Sequence, residues 1–233
     1  RRELMANISH DLRTPLTMIK AYAEMIRDLS GDNPEKRARH LKVIIDETDR
    51  LSSLVNDILD LSKLQAGVTE MNMTVFDLSE RLSGVISRFD ILKENDGIII
   101  KLEAEDNIVI NADITKLEQV VYNLINNAAK FTDRGSITFG YRTDEGAGEV
   151  ELFVRDTGKG ISQEHVGRIF ERFYKTDSNA KGVGLGLSIC RTIIEILGGD
   201  ISVVSAPGKG TCFKIVHPVR RTETAAETAG AYR

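Results

Sequence analysis

His10 and Asp11 stand side by side in "NISHDLRTPLTMI", Asn7 to Ile19, with Thr14 one helical turn on and Pro15 after it. A neutral imidazole at pH 7 is a usable nucleophile. A carboxylate that accepts from Nδ1–H leaves the Nε2 lone pair free and stabilises the cation formed on attack. Asp11 is the candidate for that role. Adjacent helix residues point about 100° apart, so it must reach round the backbone. Thr14, at i+4, shares the face of His10. Pro15 has no N–H, so the Asp11 carbonyl loses its helical partner and a bend is expected there. Such a bend gives a bulky partner room to approach. On a helical wheel His10 falls opposite Leu4, Ile8, Leu12, Leu16 and Ile19, so it should face solvent. An exposed histidine by itself is usually only a polar surface residue, and the neighbours are what make this one a candidate.

A second set lies in "NLINNAAKFT", Asn123 to Thr132. Asn123, Asn127 and Lys130 fall on one helical face, while Leu117, Val120, Leu124 and Ala128 fall on another. Asparagine is a mediocre helix former, so three within five residues need a reason. One reading is a solvated face. The other is a hard-cation site, in which amide oxygens bind Mg²⁺, substrate phosphates supply other ligands, and Lys130 adds phosphate charge. "DTGKGI", Asp156 to Ile161, follows a strand. Its glycines let backbone approach a ligand, and Asp156 can accept from an exocyclic amine. "GVGLGLSI", Gly182 to Ile189, opens a helix whose free N–H groups suit phosphate. Each glycine motif alone is weak, because turns use glycine too. Together they fit a purine nucleoside triphosphate better than a chance set of turns.

The elements that must position these residues come in two blocks. Leu4, Ile8, Leu12, Leu16, Ile19, Ala23 and Ile26 recur at steps of three and four, then "SGDNPEK" turns the chain, with Pro34 suited to a first helical position. Leu41, Ile44, Thr48, Leu51, Val55 and Ile58 form the next stripe, flanked by Ile45, Leu54, Leu59 and Leu61, and Gly67 is a plausible stop. A two-helix hairpin cannot enclose a core, so a homodimeric four-helix bundle is expected. Beyond Gly67 the pattern predicts a short strand in "VTEMNMTVFDL", a helix from Leu78 to Lys93, and strands in "GIIIKLEAE" and "NIVINAD". Asp113 caps a helix to about Lys130. "GSITFGYRT" and "GEVELFVRDTG" read as a hairpin, "LGLSICRTIIEILGG" as a helix, and "DISVVSAPGKGTCFKIVHP" as two strands. The fold class is thus an all-α hairpin followed by an α+β two-layer sandwich, a mixed sheet with helices on one face. The polar stretch 219–233 is expected to be a loose tail.

Composition narrows the classes. The chain has 233 residues, 31 basic against 35 acidic, and a formal net charge of -4. This balance argues against a general nucleic-acid binder. Cys190 and Cys212 have no paired spacing and read as small buried hydrophobes in a reducing compartment. No apolar run approaches the ~18 residues that span a bilayer, and no signal peptide is visible. The opening "RRELMANI" is already helical in pattern and has no initiator Met, as expected of a fragment from a longer protein.

The ordered set "SHDLRTPL", "NLINNAAKFT", "DTGKGI", "FERFYK", "GVGLGLSI" and "GKGT" resembles the catalytic core of a sensor histidine kinase over roughly residues 1–217. The resemblance implies a dimerisation and histidine phosphotransfer domain (1–67), a linker (68–74) and an ATP-binding domain (75–218) of the kind shared with gyrase, Hsp90 and MutL. By position, His10 matches the phospho-acceptor, Asp11 its acidic partner and Thr14 the residue that positions water in dephosphorylation. Asn127 matches the Mg²⁺ ligand, assisted by Asn123, and Lys130 a phosphate contact. Phe131 stands where an aromatic lies near adenine, and Asp156 matches the acceptor from the adenine amine. Gly158, Gly160, Gly184 and Gly186 match the glycines that shape pocket and lid, with Gly182, Leu185 and Thr211 among the nucleotide-binding positions. Arg172 and Lys175 fall where basic residues approach the terminal phosphate.

The implied function is ATP-dependent autophosphorylation on His10, transfer to an aspartate of a response regulator receiver domain, and phosphatase activity toward that regulator. ATP and Mg²⁺ are the implied cofactors. No nucleic acid and no membrane contact are expected of this fragment, which is read as the cytoplasmic part of a membrane-anchored parent. Two departures stand out: Val183 replaces a small hydroxyl residue, and the lid between "FERFYK" and "GVGLG" is short. The rival readings are an ATPase or chaperone-like module, whose members have a Glu where Asn123 stands and lack the His10 helix, and a non-catalytic dimerisation scaffold. His40, His165 and His217 have no constellation around them.

Overall fold

Asn33 and Pro34 start the longer of two N-terminal helices in the way their chemistry suggests. The Asn33 side chain accepts from the Lys36 backbone N–H at 2.9 Å, and Pro34 occupies the first turn. This helix, α2, spans Pro34–Gln65, and beyond it Gly67 has the left-handed φ of 64° that a helix-terminating glycine tolerates. The preceding helix, α1, spans Arg2–Met25 and runs on through Pro15, so the hydrogen bond missing at the Asp11 carbonyl does not end it. In this computed structural model, residues 2–67, 70–87, 97–105, 108–144, 148–176 and 184–218 are described. The chain divides into two units, residues 1–68 with 171–186 and residues 69–170 with 187–233. Among the described residues no helix is long and apolar enough to cross a membrane.

The first unit holds a feature the apolar pattern does not reveal. After Met25 the helix widens into a π-helical turn, Ile26–Ser30. Ser30 is buried, and its hydroxyl donates to the Met25 carbonyl at 3.1 Å and lies 3.0 Å from His40 Nδ1. Tyr22 sets its ring edge-on to His40 at 5.3 Å. The widened turn thus leaves its buried hydroxyl satisfied, which removes the main cost of placing serine there. Leu54, Leu61 and Leu64 are buried, whereas Leu16, Leu41, Ile45, Val55 and Leu59 are between 42% and 58% exposed. That much apolar surface on one hairpin exceeds what a scatter of surface leucines explains.

The second unit is a mixed sheet. It begins with β1 (Thr74–Asp77), α3 (Leu78–Ser87), β2 (Ile98–Ala104), β3 (Val109–Ala112) and α4 (Ile114–Phe131). It continues with β4 (Gly135–Asp144), β5 (Glu149–Asp156), a single turn α5 (Gln163–Val166), α6 (Gly186–Ile196), β6 (Asp200–Ala206) and β7 (Gly210–Pro218). The five-stranded order is β2-β4-β5-β7-β6, and β1 and β3 pair separately. The expected hairpins β4–β5 and β6–β7 form, and Asp113 caps α4 by accepting from Lys116 N–H at 3.1 Å. The helix expected to reach Lys93 is described only to Ser87, and 88–93 lie outside the described residues, as does 219–233. β2 does not pair with β3. It lies parallel to β4, an arrangement that requires a crossover, which α4 provides.

The two-residue period of β5 buries Val150, Leu152, Val154 and Asp156, and β7 likewise buries Thr211, Phe213, Ile215 and His217. Leu117, Val120, Leu124 and Ala128 of α4 are buried, as the wheel predicts. On the other face Arg142, Glu151 and Lys214 make a cross-strand row, with contacts of 2.7 and 3.0 Å.

One half-buried acid on α2 has a measurable consequence. Burial pushes the Asp57 carboxyl up to about 6, and the charge of Asp60 adds to this. The folded state therefore holds that proton more tightly than the unfolded chain. Stability should be fully present below the ordinary carboxylate range and decline as pH rises toward 6. We expect Asp57→Asn to unfold at a higher temperature than the parent at pH 7 and to flatten the pH dependence between about 4 and 6 in thermal melts.

Candidate active site

Helix α1 carries His10 on its exposed face, and the His10 side chain is 79% exposed. Asp11 does reach round the backbone: its Oδ1 lies 3.2 Å from His10 Nδ1. With a carboxylate as acceptor, Nδ1 carries the proton and Nε2 keeps its lone pair. Thr14 shares this face, and its hydroxyl donates to the His10 carbonyl at 3.4 Å.

Residues 171–186 belong to the same unit as this hairpin. Lys175 Nζ lies 3.4 Å from Asp11 Oδ2. With the Gln65 amide oxygen turned toward Arg172, it accepts from both terminal nitrogens of the guanidinium, Nη1 at 2.7 Å. Phe173 N–H donates to the Gly184 carbonyl at 2.9 Å, tying the two described ends of this segment together. A Cβ on Gly184 would lie 2.8 Å from the Tyr174 carbonyl oxygen, so glycine permits that closure. Leu185 is fully buried, and Gly186 opens α6. Gly182 and Val183 lie outside the described residues.

In the second unit, Asp156 ends β5 on the buried face and is 5% exposed. Burial raises its carboxyl above the ordinary range, opposed by the backbone N–H groups it accepts. Both donors, Gly158 N at 2.8 Å and Thr211 N at 3.2 Å, go to Oδ1. Oδ2 has no hydrogen-bond partner among the described residues, so it is available to a donor from outside the chain. Gly158 packs directly on the end of α4, where a Cβ would stand 2.2 Å from the Phe131 carbonyl oxygen. Gly160 has φ 69° and faces the Ala206 carbonyl at a distance that excludes any side chain. Phe131 is half-buried, with the ammonium groups of Lys130 and Lys159 at 5.0 and 4.8 Å from its ring centre. Asn123 and Asn127 are half-buried and Lys130 is exposed.

Two further residues, given no role by the motifs, pack against these loops. Ser205, buried, accepts from Ile161 N–H at 2.8 Å, donates to the Gly210 carbonyl at 2.9 Å and meets Thr211 Oγ1 at 2.9 Å. It fastens the "DTGKGI" loop to the β6–β7 turn, and one of two serines in a strand gives no signal of that. Thr132 Oγ1 is buried without a partner and would lie 2.8 Å from a Cβ on Gly158. The signal for Thr132 was its place at the end of the asparagine-rich stretch.

These donor sets fit a nucleotide and a hard cation. The buried acid with a vacant oxygen suits an exocyclic amine, and the bare loop suits close approach of a base or ribose. Among the described residues no group of three or more His, Cys, Asp or Glu could hold a metal. A cation at Asn123 and Asn127 would therefore rely on substrate phosphate oxygens, as Mg²⁺ commonly does.

Comparison with known proteins agrees with the nucleotide. Residues 1–67 match the family model of the His Kinase A phospho-acceptor domain, and residues 112–221 match that of the histidine kinase-, DNA gyrase B- and HSP90-like ATPase. The sensor protein SrrB of Staphylococcus aureus strain N315 is 35% identical over 222 residues, 94% of this chain. This chain spans only 38% of SrrB's length. The structure of histidine kinase ThkA in complex with response regulator protein TrrA has a TM-score of 0.78 and 29% identity, covering 94% of this chain and 61% of that one. The isolated ThkA catalytic domain is 32% identical with a TM-score of 0.58, covering 64% of this chain and 97% of that one. The Acinetobacter baumannii histidine kinase AdeS shares the fold, with a TM-score of 0.76 at 24% identity over 91% of this chain and 98% of that one. The chain belongs to the histidine kinase family.

Asp156→Asn keeps the shape but replaces one acceptor oxygen by a donor. A hydrogen bond to a charged group contributes about 1.5–3 kcal/mol, so adenine-nucleotide affinity should fall roughly tenfold to a hundredfold. Titration with a fluorescent ATP analogue, alongside circular dichroism to check the fold, measures this.

Proposed function

We propose that this chain phosphorylates itself on His10 from ATP and passes the phosphoryl group to an aspartate of a response regulator receiver domain. The observation that carries this reading is the exposed His10 with Nδ1 held by Asp11 and Nε2 left as nucleophile. Residues 1–67 act as the dimerisation and phosphotransfer domain, 68–74 as linker, 75–218 as the ATP-binding domain and 219–233 as a tail. The relative solved with a response regulator supports the choice of partner.

In the transfer, the His10 Nε2 lone pair attacks the γ-phosphorus of ATP in line with the bond to the β–γ bridging oxygen. The N–P bond forms as that bond breaks, and ADP leaves with its electrons. The Nδ1 proton remains between imidazole and Asp11, whose charge stabilises the imidazolium. Asp156 binds the adenine amine through Oδ2, Phe131 flanks the base, and Lys130 offsets phosphate charge. Asn127, assisted by Asn123, would hold Mg²⁺, which when bound would neutralise charge on the phosphate oxygens. Catalysis here is chiefly positioning and charge neutralisation.

Release of the phosphoryl group from the regulator is the second activity of the same face. Thr14 would position the attacking water once its hydroxyl turns away from the His10 carbonyl. Homodimerisation covers the exposed apolar residues of α1 and α2, Leu16, Leu41, Ile45, Val55 and Leu59 among them. The chain acts on the cytoplasmic side of a membrane-anchored parent, in two-component signal transduction.

Incubation with γ-labelled ATP and Mg²⁺ tests the main claim. The expected product is acid-labile and base-stable label on the parent, and none on His10→Gln, which should bind nucleotide as the parent does. Retained acid-labile label on the variant would overturn the assignment. Sedimentation of the intact chain should give a dimer, with Ile45→Glu shifting it toward monomer; a monomeric parent refutes the bundle.

A further inference from the structure

Successive helix side chains diverge, so the Asp11 carboxylate left to itself has no reason to stay at the imidazole of the preceding residue. An exposed contact of 3.2 Å between neighbours is a weak constraint. Here, however, the carboxylate is gripped from its other side. Oδ1 faces His10 Nδ1 at 3.2 Å and Oδ2 faces Lys175 Nζ at 3.4 Å, an ammonium–carboxylate–imidazole row. The His10 ring at one end is exposed, whereas Asp11 and Lys175 are only 20% and 21% exposed. Fixing one oxygen of a planar carboxylate fixes the direction of the other.

Lys175 is itself anchored. Arg172, three residues before it, engages Gln65 on α2 with the Gln65 amide oxygen turned toward it, and Phe173 is tied to Gly184. The segment therefore meets both helices of the hairpin, and Lys175 makes the contact that matters to His10. Thr14, the other polar neighbour on this face, is turned to the backbone and does not compete for Asp11.

From this row we propose that Lys175 is a positioning residue that acts through Asp11, holding His10 in the tautomer with the proton on Nδ1 and the nucleophilic lone pair on Nε2. This rests on His10 being the phospho-acceptor. It differs from a phosphate contact, because the partner of the ammonium is the Asp11 carboxylate. A free imidazole prefers its proton on Nε2, the form in which Nε2 is not a nucleophile. Removing the ammonium lets Asp11 swing away and returns His10 toward that form.

The test uses the intact chain. In nucleotide-free protein, ¹⁵N NMR of His10 should show mainly the Nδ1–H tautomer, shifting toward Nε2–H in Lys175→Met and back in Lys175→Arg. The autophosphorylation rate constant should fall about fivefold or more in Lys175→Met at unchanged KM for ATP. Asp11→Asn with Lys175→Met should be no slower than Asp11→Asn alone. An unchanged tautomer, a loss confined to KM, or multiplicative losses in the double variant would each overturn the proposal, the second by making Lys175 a phosphate contact only. If the parent takes no label, His10 is not the acceptor, and the tautomer shift still decides whether Lys175 governs the imidazole.

Discussion

A carboxylate buried at the end of a strand must find donors, and the second unit is organised around how Asp156 finds them. No cationic side chain approaches it among the described residues. Its donors are the backbone N–H groups of Gly158, in the glycine-rich loop, and Thr211, at the start of β7. For both to reach one oxygen, the glycine-rich loop must fold back on the end of α4 and the β6–β7 turn must close over it. Ser205 then ties loop and turn together. Burial favours the neutral acid, while the two N–H groups favour the anion. A donor arriving at the remaining oxygen tips this balance further toward the anion, so ligand binding and ionisation support each other.

The first unit solves the opposite problem. Its reactive group must be open to large partners, so the residue that orients it cannot come from a buried core. Asp11, the sequence neighbour, is the nearest acid. Its poor intrinsic direction is corrected by a cation from residues 171–186 rather than by the hairpin itself. The hairpin is left with one reactive face and one apolar face, and both are surfaces for other molecules.

Most of the architecture was legible because its signals were local. Asn33–Pro34, Gly67 and Asp113 marked helix ends by capping chemistry, and the two-residue period marked the β4–β5 and β6–β7 hairpins. The parallel pairing of β2 with β4 was not legible, because it joins strands separated by a whole helix and leaves no short-range trace. The π turn was hidden for a related reason. Its stability comes from Ser30 meeting His40 across the hairpin, a contact absent from either helix alone. In the site, the motifs gave the acid, the asparagines and the glycines. They did not give Ser205, since a buried serine inside a strand looks like any other small residue. Nor did they pair Lys175 with Asp11, since ion pairs between distant positions have no period.

The strand order also governs how the protein comes off the ribosome. Helices α1 and α2 make contacts close in sequence and can assemble as soon as residue 65 or so is clear of the exit tunnel. The sheet cannot. Its middle strand β5 has β7 on one side, and β7 is not complete until Pro218 is made. While residues 66–218 are being made, the chain thus presents a finished hairpin with an apolar flank, followed by unpaired strand-forming sequence. That interval is when two nascent copies on one message can find each other through the hairpin, and when the unfinished strands most need a chaperone.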